Sequence, residues 1–151
     1  MKKNQIILRF SIHNFDDISH DEITHLLDIK PSHLRIKGQK KNPKNSESSL
    51  IESNSWSMDS GLDKYADFDE QMSSLLDILE SKKDILKPIC EKYRCEISCG
   101  MYVYFGNDES TPWVHMDARY NKLTRELNIE FDLDLYVLPN QKKSTVLLLH
   151  N

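Results

Sequence analysis

No apolar run in this sequence approaches the roughly 18 residues of a membrane-spanning helix, so a membrane span is not expected. The opening Met-Lys-Lys-Asn-Gln leads into a short, interrupted apolar run without a small-residue cleavage site, which argues against a secretory leader. Basic excess is also missing. The net charge is −4 over 151 residues and the pI is near 5.8, whereas a whole-surface affinity for nucleic acid or anionic membrane needs a positive field over the binding face. Cysteine is scarce. Cys90, Cys95 and Cys99 are an odd number that cannot form a complete disulfide set and suits a reducing, cytoplasmic compartment. The sequence contains no GxGxxG, P-loop, GxSxG or HExxH pattern, which removes any warrant for naming a reaction or a cofactor.

What is present is alternation. From Leu127 to Val137, Ile129, Phe131, Leu133, Leu135 and Val137 point one way while Glu130, Asp132, Asp134 and Tyr136 point the other. This is the period of a strand with one packed face. A one-residue slip would bury Asp132 and Asp134 unpaired, so the register should be well specified. Ile6, Leu8, Phe10 and Ile12 alternate in the same way near the start, as do Cys95, Ile97, Cys99, Met101, Val103 and Phe105 later on. Ser55-Trp-Ser-Met58 reads as a short strand with Trp56 and Met58 inward.

Helical spacing fills the intervals. Ser19 to Glu22 matches a capping box with Ile18 and Ile23 as a hydrophobic staple, and the helix must stop before Pro31, with Asp28 as a left-handed cap. Phe68, Met72, Leu75, Leu76 and Leu79 form the stripe of the longest helix, with acids at its start. A second helical stripe runs from Ile85 to Tyr93, and Pro88 predicts a break between Ser81 and Pro88. Asp117 caps a helix carrying Tyr120, Leu123, Thr124 and Leu127, after a brief pairing segment at Pro112 to Met116.

Two stretches fall outside this periodicity. Residues 30–54 read as a mobile loop in which Lys30, Arg35, Lys37, Lys40, Lys41 and Lys44 follow one another without an acid. No aromatic residue interleaves with them, so a solvated, lysine-rich loop is preferred over a phosphate-binding arm. The C-terminal extension, 139–151, contains Ser144 to His150, a run of β formers that would be an aggregation hazard if left free. It should dock as an added strand on a sheet edge, with a dimer through this strand as the other outcome.

Glu22 to Lys30 and Lys122 to Glu130 align without a gap, sharing Thr24 with Thr124, Leu27 with Leu127 and Ile29 with Ile129. Two strand-helix-strand halves around a helical insert imply an α+β fold: a doubled split-βαβ (ferredoxin-like), mostly antiparallel sheet with helices on one face. At 151 residues this is one domain, able to bury roughly 70% of the surface of its unfolded chain. Thr24, Leu27-Asp-Ile-Lys-Pro31, Trp56 and Asp134-Leu-Tyr136 together resemble the bacterial domain-of-unknown-function 4279 family over roughly residues 5 to 138. Members usually carry glycine where this chain has Asp28 and Asn128. The resemblance implies the fold and no activity.

Among chemical constellations, Asp132 and Asp134 lie within about 7 Å along one strand face, a spacing open to paired carboxylates or a hard metal ion, but no third ligand or glycine loop accompanies them. The cysteines with His115 lack zinc-knuckle spacing and read as core. His20 and His25 have no nucleophile in reach of the pattern. The preferred expectation is therefore a non-enzymatic binding protein that uses the polar sheet face, where Arg9, His13, Glu96, Tyr102, Tyr104, Asp132, Asp134 and Tyr136 gather. An immunity- or antitoxin-like protein masking a basic surface fits this composition. The alternative is an enzyme or small-ligand binder with an acidic site around Asp132 and Asp134.

Overall fold

The structure is a computed structural model and describes residues 1–140. Its elements run β1 (Gln5–His13), α1 (His20–Leu27), β2 (His33–Arg35), β3 (Ser55–Asp59), α2 (Phe68–Ser81), α3 (Lys83–Lys92), β4 (Arg94–Phe105), α4 (Ala118–Leu127) and β5 (Ile129–Pro139). The strands form one mixed sheet in the order β2-β3-β1-β4-β5. β1 pairs antiparallel with β3 and with β4, β2 pairs antiparallel with β3, and β4 pairs parallel with β5. The α+β class therefore holds; β3 lies between β1 and β2, the strands on either side of α1, whereas β4 and β5, on either side of α4, are direct neighbours, so the strand order departs from a doubled split βαβ in its second half. The sequence halves specify strand, helix and strand; which edge each strand joins depends on partners far away in the chain.

Local signals set the helix ends. Ser19 and Asp67 both make complete capping boxes, with Glu22 and Glu70, and the Asp117 carboxylate accepts from the Tyr120 backbone N–H. Asp28 (φ 52°) and Asn128 (φ 54°) end α1 and α4 in the left-handed region, so the repeated sequence makes a repeated helix end. The expected break falls at Lys82, and Pro88 sits inside α3, where the residue four before it, Asp84, lies in the first turn. The brief pairing segment at Pro112 to Met116 is not a strand; Val114 and Met116 instead pack against the core.

The core lies on one side of the sheet. Ile6, Leu8, Phe10 and Ile12 of β1, Trp56 and Met58 of β3, and Cys95, Ile97, Cys99 and Met101 of β4 share one cluster with the buried stripes of all four helices. Trp56 is fully buried, and its indole N–H donates to Thr24 Oγ1 at 2.9 Å. β3 stops opposite Arg9, leaving the start of β1 without that neighbour. Buried Gln71 of α2 fills the gap: its amide donates to Ile6 O at 2.7 Å and its carbonyl accepts from the Leu8 N–H at 3.2 Å.

Two expectations change. Within 30–54, residues His33 to Arg35 form an edge strand on β3, and the following stretch folds back on itself through Gly38 N–H to Ile51 O (2.9 Å) and Ile51 N–H to Gln39 O (2.8 Å). Three residues are too few for alternation to register as a pattern. On β5, only Ile129 is buried and Phe131 half-buried, whereas Leu133, Leu135 and Val137 are exposed by 44%, 57% and 60%. Phe131 meets Phe68 and Tyr120 edge to face at 6.3 and 6.0 Å. These two belong to the first turns of α2 and α4, so the helix layer ends there and β5 runs on beyond it. The expected added strand after residue 140 lies outside the described residues.

Candidate functional site: the open face of the sheet

The odd-numbered residues of β1 and their neighbours in register face away from the helices. Arg9 stands beside Asp59 and Ser98, Ser11 beside Ser57 and Glu96, and His13 beside Ser55 and Arg94. β5 continues these rows with Glu130 beside Glu96, Asp132 beside Ser98, Asp134 beside Gly100 and Tyr136 beside Tyr102. Every candidate residue expected from the sequence is thus on one face, but they divide into groups rather than converging.

At the β2 side, the Arg9 guanidinium donates to Asp59 at 2.8 Å and lies 3.3 Å from His33 Nε2. These residues rim a cavity of about 280 Å³ with Ile7, Leu62 and Lys64. In the middle, Ser11 and Ser57 share a buried hydrogen bond of 2.8 Å. Next to them Arg94 clamps Glu96 and donates to Glu130 at 3.1 Å. His13 Nε2 is 3.6 Å from Glu96, is shielded from solvent and, among the described residues, has no hydrogen-bond partner. Burial lowers the His13 pKa; Glu96 opposes that shift, and Arg94 and Arg35 reinforce it. The imidazole is therefore neutral at pH 7 and its contact with Glu96 is not an ion pair.

At the β5 side, Tyr102 and Tyr136 stack with ring centres 4.8 Å apart and planes 12° from parallel. Gly100 beside them carries no side chain, and the Tyr102 ring reaches to 3.6 Å of where a Cβ would stand. Asp132 and Asp134 are exposed. Tyr104 is buried rather than displayed; its backbone N–H donates to Asn4 Oδ1 at 2.8 Å, and Lys2 lies 5.3 Å from its ring centre. Among the described residues, no group of three or more His, Cys, Asp or Glu side chains is placed to hold a metal ion, and no helix is long and apolar enough to cross a membrane. Cys90, Cys95 and Cys99 are buried free thiols.

Ser57, Asp59, His33 and Arg94 join the face without having been singled out from the sequence. Alternation in Ser55 to Met58 places the two serines opposite Trp56 and Met58, but only the pairing register brings Asp59 beside Arg9 and Ser57 beside Ser11. A second depression lies off this face. A cleft of about 400 Å³ is lined by Lys3, Lys64, Tyr65, Asp67, Glu109 and Trp113, among others, with Tyr65 and Trp113 both more than half exposed.

In the comparison with known families, residues 4–138 match a family described as "Domain of unknown function (DUF4279)". No curated protein and no solved structure matches the chain.

Proposed function

The chain belongs to the DUF4279 family, whose description assigns no activity, and we propose from the geometry that it is a binding domain that engages a protein partner across the open sheet face. The observation that carries this reading is the five-stranded sheet itself, with its core and helices on one side and stacked tyrosines beside ordered charge pairs on the other. Tyrosine and arginine set among preformed polar contacts are the composition of a protein interface, and preformed contacts lower the ordering cost of binding. Glu130, Asp132 and Asp134 give the β5 side an acidic strip, which suits a partner with a basic surface. A cytosolic bacterial protein that masks such a surface, as an immunity or antitoxin-like protein does, fits the net charge of −4.

The reading that places a small ligand at Asp132 and Asp134 has less support, since their cross-strand neighbours are Ser98 and Gly100 and no cavity is lined by either carboxylate among those described. The test is the double substitution Asp132→Asn/Asp134→Asn. Both positions are solvated strand sites, so the melting temperature should hold. Partners recovered from the native cell should be lost or weakened, and the association rate of the recovered partner should become less sensitive to salt. Identical partner sets for wild type and variant would overturn the reading.

A further inference from the structure

Beyond Phe131, β5 carries an apolar stripe that no described residue covers. Leu133, Leu135 and Val137 lie on the helix side of the sheet beside Cys99, Met101 and Val103, and Phe105 at the end of β4 is 60% exposed. On the opposite side of the same strand, Tyr136 and Leu138 are also exposed. β5 is the last strand in the sheet and pairs only with β4, so among the described residues its outer backbone edge is unpaired. A long, apolar, open edge is a feature that folded proteins cover.

We propose that the edge of β5 is a docking site for this chain's own residues 144–149, added antiparallel as a sixth strand. The place where the described chain stops supports this. Asn140 is held at the end of the sheet, its backbone N–H donating to Phe105 O at 3.4 Å and its side chain to Gly106 O at 3.2 Å. Residues 140–143 are the length of a common hairpin connection. At about 3.4 Å per residue, residues 144–149 match the length of Leu133 to Leu138.

The pattern also matches. Leu135, Tyr136, Val137 and Leu138 are four successive apolar or aromatic residues, and so are Val146, Leu147, Leu148 and Leu149. A strand apolar on both faces fits beside an edge that is apolar on both faces. A slip of one residue would still set apolar against apolar at most positions.

Charge decides between this occupant and a second copy of β5. A two-fold antiparallel pairing of β5 with itself gathers Asp132 and Asp134 of both copies on one face of the seam, where like charges repel. Residues 141–151 contain no acid and bring Lys142 and Lys143 to the turn.

Amide hydrogen exchange on the full chain tests the assignment. Alternate amides within residues 145–149, those that donate to β5, should exchange at least ~100-fold more slowly than unstructured peptide, independently of protein concentration and at the mass of one chain. In full-length Leu147→Pro/Leu148→Pro, where one of two successive amides points at β5 in either register, that protection should fall together with protection of the Leu133 to Leu138 amides that point away from β4, while amides of β1 stay protected. Unprotected tail amides in the wild type would overturn the proposal. So would protection that disappears on dilution with a mass of two chains, which would assign the edge to a second copy. Unchanged β5 protection in Leu147→Pro/Leu148→Pro would do the same.

Discussion

His13 shows how little of a residue's chemistry is set by its own identity. Its place on the outward face of β1 follows from alternation with Ile12, but the shielding of Nε2 depends on β3 and β4 closing on either side. With its folded pKa below the ordinary 6.5 because of burial, the folded chain binds this proton less readily than the unfolded chain. Stability is then fully present above the unfolded pKa and is lost as pH falls from there through the folded value. Wild type should lose stability between about pH 7.5 and 5.5, and His13→Gln should lose less of it over the same window. Urea denaturation of both chains at the two pH values measures the difference, and parallel losses would show that the ring is free to protonate in the fold.

The helices are the elements whose limits were most readable, because caps are local. Ser19, Asp67 and Asp117 each satisfy backbone donors within three residues of themselves, and Asp28 and Asn128 each turn the chain out of a helix by adopting φ values near +50°. Alanine in that conformation costs about 1 to 2 kcal/mol, while glycine adopts it freely. Asn128→Ala should therefore lower stability by about 1 kcal/mol and Asn128→Gly should leave it nearly unchanged, as read from denaturant midpoints. An equal loss in both variants would place the contribution of Asn128 in its side chain instead of its backbone angle. The four longer strands, β1, β3, β4 and β5, were legible as strands for the same local reason. Their burial was not: the stripe of β5 has the same alternation as that of β1, yet β1 is central and covered while most of β5 extends past Phe68 and Tyr120.

For the molecule as a whole, the three cysteines report on the core from within. The Cys95 thiol is pushed up by its contact with Cys90 and by burial, and burial pushes Cys99 up to about 11. Since only the thiolate reacts with disulfide reagents, the native chain should label slowly at pH 8, with the rate rising only as denaturant crosses the global unfolding transition. Fast labelling under native conditions would show that the packing of α3 against β4 opens locally. The sequence by itself determined the α+β class, the helix caps, the inward set of Trp56, Met58 and the cysteines, and the grouping of Arg9, His13, Asp132, Asp134 and Tyr136 on a polar face, because each depends on periods of two or 3.6 residues and on capping groups a few residues apart. Only the tertiary structure decided that β4 and β5 run parallel as direct neighbours, that Arg9 meets Asp59 and His33, that Tyr104 is buried, and that the far half of β5 extends past the helix layer. Those outcomes depend on contacts between residues tens of positions apart, where strand order and the extent of the helix layer, which no local pattern encodes, select one arrangement among several that the same alternation permits.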